Sequence, residues 1–296
     1  MRRWRCFAGL RKMAARESKP VAVSSVRPRM LVCDVDGTLL NPLGELTPAS
    51  RAALNSLRLA GIPVVLASGR LPYAMQTLCR ELELAGPQIT MNGALIMAPL
   101  SGEIVAGHTL GYDDVRAQLA FARDLDLPTL LCYPDHLKTQ RLTREIELLF
   151  TPYEEPLPEI VPSLDALAAS HPYKIFLHTG RERYEAVVAA ARARFDGRFG
   201  ITSGNKVSVE LLALNASKAE GARVVAERSG LSMSEVAAIG DAPNDIALLR
   251  EAGVSAAMGQ ADSEVQAAAT FVTATNADDG VARAIATLFP AIPRLT

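Results

Sequence analysis

The segment Asp34-Val35-Asp36-Gly37-Thr38-Leu39 sets two carboxylates one residue apart, directly after the apolar run Leu31-Val32-Cys33. On an extended strand end both side chains project to the same side. Like charges that close are unfavourable unless one is protonated or a cation lies between them. A Mg²⁺ ion resolves the repulsion, because it takes hard oxygen ligands and keeps several waters. Gly37 permits a tight turn, and Thr38 offers a hydroxyl. Taken alone, Asp-x-Asp-Gly also suits a solvated acidic turn or a calcium loop.

Three further stretches carry similar potential. Gly240-Asp241-Ala242-Pro243-Asn244-Asp245 follows another apolar run and adds two carboxylates and an amide. Lys218 stands at an expected helix start, where an ammonium joins free backbone N–H groups to make an anion site. Ser68-Gly69-Arg70 offers a hydroxyl and backbone N–H groups at a strand end, which could hold a phosphate oxygen. Each has an ordinary counterpart: a surface lysine, or an unremarkable loop.

The elements that would position these groups follow from pattern and punctuation. Leu31–Cys33, Ile62–Ala67, Gln88–Met91, Val236–Ile239, Val254–Met258 and Phe271–Thr273 read as strands. Between them, Pro48–Ala60, Tyr73–Leu84, Lys218–Ser229, Ile246–Ala252, Ser263–Ala269 and Val281–Leu288 read as helices. Thr47 and Ser217 are expected N-caps, and Gly253 an expected C-cap. Alternating strands and helices imply a doubly wound parallel sheet of the α/β class. In such sheets the ligand crevice lies outside the strands' carboxyl ends. Asp34, Asp36, Ser68 and Asn92 all fall at such ends. The middle of the chain breaks the pattern, with strand-like stretches at Ala94–Ala98, Thr129–Tyr133 and Tyr173–His178. Helices are expected at Asp113–Asp124 and Arg181–Phe195, with a loop punctuated by Pro152, Pro156, Pro158 and Pro162. The expected division is a core of 30–92 and 205–296 with an inserted α+β cap of 93–204.

Bulk properties narrow the function. The 296 residues are 49% hydrophobic, enough for a packed core. Lys and Arg number 31 against 32 Asp and Glu, so a general nucleic-acid binder is excluded. No apolar run reaches the length of a membrane span. Cys6, Cys33, Cys79 and Cys132 are scattered without ligand spacing, which suits reduced thiols and a cytoplasmic setting. Residues 1–29 carry nine Lys and Arg against one acid, Glu17. That leader is expected to be a disordered tail or to precede the true start, at Met13 or Met30. An organelle transit peptide is the alternative. Trp4 and Phe7 give it at most a small amphipathic patch.

Together the four stretches resemble, in order, the four motifs of the haloacid dehalogenase superfamily of phosphotransferases. The likeness is closer still to its Cof-type phosphatases, which carry a type IIB cap. Ala67-Ser68-Gly69-Arg70, Asn92-Gly93-Ala94, Ser217-Lys218, Ala257-Met258-Gly259-Gln260-Ala261 and Asp279-Gly280-Val281 match as well. The resemblance runs from Met30 to Phe289, with a loose match in the cap. Gln260 stands where the family pattern has Asn, a difference that bears on substrate contacts. The resemblance implies a Rossmann-like core and Mg²⁺-dependent hydrolysis of a small phosphorylated metabolite, such as a sugar phosphate. Asp34 would be the nucleophile that forms an aspartyl-phosphate. Asp36 would protonate the leaving group and then activate water. Mg²⁺ would be held by Asp34, Asp36 through its backbone carbonyl, and Asp241, with Asp245 ordering the metal shell. Ser68 and Lys218 would grip phosphoryl oxygens. Thr38, Gly69, Arg70, Asn92 and Asn244 complete the expected phosphate and substrate contacts.

A phosphomutase or phosphotransferase on the same core is a close alternative. A phospho-ligand binding module without turnover is a more distant one. The intact set of Asp34, Asp36, Ser68, Lys218, Asp241 and Asp245 argues against the module. The expected partner is a small phosphorylated molecule, with no nucleic acid and no membrane, bound by a monomer or small homo-oligomer. His108, His136, His171 and His178 show no metal spacing. The Asn215-Ala216-Ser217 sequon is expected to stay unmodified in a cytoplasmic protein.

Overall fold

The computed structural model describes residues 27–150, 157–195 and 197–292. Trp4, Cys6, Phe7, Pro152 and Pro156 therefore lie outside the described residues. Arg29, counted above with the leader, is already tied to the fold. Its backbone N–H donates to Glu235 O at 2.7 Å.

Two sheets organise the chain. The larger has eight strands in the order β14-β13-β12-β1-β2-β3-β4-β5. Six of them are β1 (Met30–Asp34), β2 (Val64–Ala67), β3 (Gln88–Thr90), β12 (Val236–Gly240), β13 (Val254–Ala257) and β14 (Phe271–Val272). All of these pair in parallel. The period-2 alternation of β1 divides its apolar residues between two faces. Leu31 and Cys33 pack with Leu54 and Leu57 of α1 (Pro48–Leu59), Met75 and Leu78 of α2 (Pro72–Glu81), and Ala284 of α9 (Gly280–Leu288). Met30 and Val32 pack on the opposite side. There they meet Ala219 and Ala222 of α6 (Lys218–Arg228), Leu248 of α7 (Ile246–Glu251) and Val265 of α8 (Ser263–Ala268). A sheet buried on both faces needs continuous apolar strands, which is why β1 and β12 are so readable.

The helix punctuation acts largely as expected. Thr47 Oγ1 accepts the Ser50 N–H at 3.2 Å, with Pro48 at the first helical position. Ser217 Oγ accepts the Glu220 N–H at 3.1 Å. Gly253 differs. Helix α7 ends at Ala252 in an extended conformation, and Gly253 is not left-handed. A Cβ there would lie 1.9 Å from Ser234 O, so close backbone approach, not helix capping, excludes a side chain.

The second sheet has six strands in the order β10-β11-β9-β6-β7-β8. They are β6 (Thr129–Cys132), β7 (Leu137–Thr139), β8 (Glu159–Ile160), β9 (Lys174–His178), β10 (Phe199–Thr202) and β11 (Ser208–Ala213). One face packs on α3 (Tyr112–Asp124) and α5 (Gly180–Phe195) through Ile175, Leu177, Val209 and Leu211. Leu130, Cys132, Phe176 and Leu212 on its other face cluster with Leu71, Met91 and Leu95 of the larger sheet's side. A short helix, α4 (Arg144–Phe150), adds Ile146 to that cluster.

Sheet membership corrects the expected boundaries at both ends. Strands β4 (Leu95–Met97) and β5 (Ile104–Gly107), placed above in the cap, extend the large sheet. β4 runs antiparallel to β3, with Thr90 opposite Leu95. Strand β11, placed above in the core, is an inner strand of the six-stranded sheet and pairs with both β9 and β10. The chain leaves the large sheet after Gly107 and returns after Ala213. The two crossings touch, Asn215 Nδ2 lying 3.0 Å from His108 Nδ1.

Candidate active site

The site forms at the carboxyl ends of β1, β2, β3 and β12, beneath the six-stranded sheet. Asp34 ends β1 and is 4% exposed. The chain then enters a helical turn in which Gly37 takes φ +79°. A Cβ on Gly37 would lie 2.4 Å from Asp241 Oδ2. That contact brings the first acidic loop against the second. Thr38 Oγ1 donates to Asp241 Oδ1 at 2.8 Å, so Thr38, expected above among the phosphate and substrate contacts, positions Asp241.

Lys218 opens α6, yet its side chain is 1% exposed. Its Nζ donates to Asp34 Oδ1 and, at 2.7 Å, to Asp245 Oδ1. Asp245 is completely buried, and its Oδ2 accepts the Asp241 and Ala242 N–H groups, each at 3.0 Å. Both Asp245 oxygens are thus engaged within the protein. One carboxylate oxygen from each of Asp34, Asp241 and Asp245 lies within 4.8 Å of the others.

Charge at this point is unbalanced. Burial pushes the Asp34 carboxyl well above its usual range, and Asp245 pushes the same way against the opposing pull of Lys218. Burial, then Asp245, raise Asp241 to about 6. For Lys218 burial works to lower the pKa, but Asp245 and Asp34 outweigh it and the ammonium is held above its ordinary value. Three carboxylates facing one ammonium, with hard oxygens converging, suit a small divalent cation. The donor set therefore fits the metal expected from the sequence.

Asp36 departs from its expected place. Its carboxylate is not in that cluster, because the chain leaves extended geometry at Val35 and the side chain faces Arg70. Nε of Arg70 meets Oδ2 at 2.9 Å and Nη2 meets Oδ1 at 2.7 Å. The side chain is accordingly not one of the converging metal carboxylates. Ser68 is 1% exposed, and its Oγ accepts the Arg70 N–H at 3.1 Å. Asn92, at φ +58°, donates through Nδ2 to Glu210 Oε2 at 2.8 Å and accepts Asn244 Nδ2 at 2.9 Å. These two amides are bonded to each other, and Asn92 ties them to the cap. Gln260 bonds to backbone groups and not to the acidic cluster. Its Nε2 donates to Gly37 O at 2.5 Å and its Oε1 accepts the Asn276 N–H at 3.1 Å, so it braces the turn that carries Asp36.

Asp34, Asp36, Ser68, Gly69, Arg70 and Asn244 line one cavity of about 140 Å³. Its opposite wall comes from the second sheet, with Lys174, Phe176 and Glu210. Sequence reasoning missed these three. The available signal was the alternation in Tyr173–His178, which puts Lys174 and Phe176 on one face and Ile175 and Leu177 on the other. None of the four histidines lines the cavity. His136 instead stacks on Tyr133 with ring centroids 4.4 Å apart. Cys33, Cys79 and Cys132 are buried thiols. Among the described residues no helix is long and apolar enough to cross a membrane.

Comparison with known proteins agrees with this geometry. Residues 31–285 match the family model of the haloacid dehalogenase-like hydrolases, and the chain belongs to that family, in its Cof-type branch. It is 30% identical over 269 residues to "Putative phosphatase YxeH" of Bacillus subtilis, spanning 87% of this chain and 97% of that protein. It is 27% identical over 257 residues to 5-amino-6-(5-phospho-D-ribitylamino)uracil phosphatase YcsE of the same species, spanning 87% and 94%. The solved structure of the subclass IIB sugar phosphatase BT4131 superposes with a TM-score of 0.78 at 23% identity, covering 88% of this chain and 98% of that one. That superposition extends the shared fold through the inserted sheet.

Proposed function

We propose that the chain hydrolyses a small phosphomonoester with the help of Mg²⁺, through an aspartyl-phosphate on Asp34. The observation that carries the reading is Asp34 itself. It is a buried carboxylate at a strand end, bonded to Lys218 and facing Asp241, with the cavity opening above it.

In this reading the Asp34 carboxylate attacks phosphorus and the alkoxide departs. Asp36 gives its proton to the leaving oxygen and later takes one from the water that cleaves the acyl phosphate. The bidentate grip of Arg70 holds the Asp36 carboxylate in one orientation. Lys218, the Ser68 hydroxyl and the Gly69 and Arg70 backbone bind phosphoryl oxygens, a preorganised set of donors. Asn244 lies within reach of the same group. Mg²⁺ would be held by Asp34, Asp241 and the Asp36 carbonyl, with Asp245 ordering Asp241, and would neutralise charge on the transferring phosphoryl group. The organic part of the ester would rest against the cap wall, where a sugar phosphate or similar metabolite is the proposed class. The relative YcsE, named for a phosphorylated ribitylaminouracil, supports a compact polar ester of that kind.

The test is phosphate release from a panel of phosphorylated metabolites, with Mg²⁺ and with EDTA, on wild type and Asp34→Asn. Mg²⁺-dependent release that vanishes in the variant supports the proposal. Steady-state turnover by Asp34→Asn would sink the mechanism.

A further inference from the structure

Lys174 of β9 and Glu210 of β11 form an ion pair at 2.8 Å, with side chains 6% and 8% exposed. A pair buried so deeply is a poor way to stabilise a fold. Desolvating both charges offsets much of their attraction, and apolar residues of similar size often serve as well or better. Other bonds of the pair point elsewhere. Lys174 Nζ also donates to Gly69 O at 2.8 Å. Glu210 Oε2 also accepts Asn92 Nδ2 at 2.8 Å. Both partners sit on loops at the carboxyl ends of the large sheet.

The polarity of the next bonds is dictated from the cap. A carboxylate paired with an ammonium can only accept. Asn92 must therefore turn Nδ2 to Glu210 and Oδ1 to Asn244, and Asn244 must answer with Nδ2, as observed. The relay ends on Asn244 Oδ1, a buried oxygen without a partner among the described residues. Asn92 is also tightly seated. Its N–H donates to Ser68 O at 2.9 Å. A Cβ on Gly69 would stand 3.1 Å from Asn92 Nδ2, and one on Gly93 only 2.0 Å from Ser217 O. A displaced Asn92 would thus disturb the Ser68 loop and the start of the Lys218 helix together.

We propose that Lys174 and Glu210 are positioning residues, through which the six-stranded sheet orients the Asn92 and Asn244 amides at the catalytic end of the large sheet. The core site is then in register only while that sheet is seated on it. The kinetic consequence rests on the phosphatase reading above; the structural one does not.

The test uses the full chain carrying Lys174→Met and Glu210→Leu together. The apolar pair keeps the fold, with a melting temperature close to wild type. Turnover number falls about ten- to a hundredfold, the scale of small misplacements in an active site. The fall is the same for para-nitrophenyl phosphate and for metabolite esters, with KM little changed. A loss confined to metabolite esters would mean that the pair contacts the leaving group, and would overturn the proposal, as would unchanged kinetics. The side-chain NH₂ signals of Asn244 give a readout independent of turnover. They are dispersed and slow to exchange in wild type, and collapse in the double variant although Asn244 touches neither substituted residue. An unaltered Asn244 signal overturns the relay even if no ester is ever hydrolysed. Absence of phosphate release by wild type counts only against the phosphatase reading. Should the double variant fail to fold, Glu210→Gln serves. Its amide permits both polarities, so two sets of Asn244 NH₂ signals are expected, and a single wild-type set overturns the proposal.

Discussion

Arg70 clasps Asp36 with two parallel hydrogen bonds, and the same residue's backbone N–H caps the Ser68 hydroxyl. One arginine therefore sets both the proposed proton donor and the proposed phosphate-binding loop. Arg70→Lys keeps the charge but loses the fork. General acid–base catalysis contributes about 10²–10⁴-fold, and we expect misorientation of Asp36 to cost about tenfold or more of it. The loss should be larger for alkyl phosphates, whose leaving oxygen needs a proton, than for para-nitrophenyl phosphate. Equal losses would show that Arg70 does not act through Asp36. Stability should change by less than about 1 kcal/mol, because the pair is partly exposed.

The acidic cluster makes the metal-free protein sensitive to pH in an unusual direction. Asp241 is raised to about 6, first by burial and then by Asp245. A carboxyl with a raised pKa binds more protons folded than unfolded, so the slope of stability with pH is negative between the two values. Metal-free protein should accordingly lose stability as pH rises from about 4 to about 6, and saturating Mg²⁺ should restore it. Thermal melts of wild type and Asp241→Asn, with EDTA and with Mg²⁺, check this. The variant should lose the share of the fall that Asp241 contributes, keep the share of the raised Asp34 carboxyl, and gain less from Mg²⁺.

Gly37 is held by a contact and by its backbone conformation at once. Its φ is +79°, and a Cβ would enter the Asp241 carboxylate. Gly37→Ala should cost about 1–3 kcal/mol in backbone strain and displace Asp241. Calorimetric titration should find Mg²⁺ affinity reduced by at least about tenfold, the loss expected when the support of a metal ligand is removed. Wild-type affinity would show that Asp241 is not a ligand.

Lys218 neutralises two buried carboxylates, so it carries more of the fold than a residue recruited only for phosphate would. Lys218→Met should abolish turnover and also destabilise the metal-free protein by about 3–5 kcal/mol, the cost of leaving buried charge unpaired. Mg²⁺ should return part of that stability. An unchanged melting temperature in EDTA would contradict the burial of Asp34 and Asp245 against it.

Much of the core site was legible in the sequence for a local reason. Strands buried on both faces are runs such as Leu31–Cys33 and Val236–Ile239, and the groups at their ends must share one edge of the sheet. Asp34, Ser68, Asp241 and Asp245 could be placed by that rule alone. Where the rule is silent, the reading went astray. Leu95–Met97 is readable as a strand, but its partner depends on a reversal at Asn92-Gly93 that only the folded structure defines. Ser208–Ala213 carries a glutamate at its centre, which a pattern reading counts against a buried strand. That glutamate is tolerated because Lys174, on the neighbouring strand β9, meets it. Asp36 was misplaced for the same reason. An extended strand end would have aligned it with Asp34, but the chain turns at Val35 and sends it to Arg70 instead.

The contact between His108 and Asn215 has a consequence beyond packing. A segment whose two ends meet can be exchanged without stretching the framework that holds it. Residues between those ends form a cassette, free to diversify in sequence while the acidic cluster beneath stays fixed. Transplanting a relative's cassette at this junction is the natural route to redirecting the enzyme toward a different ester. Lys174 and Glu210 are the two positions that such a graft must carry with it.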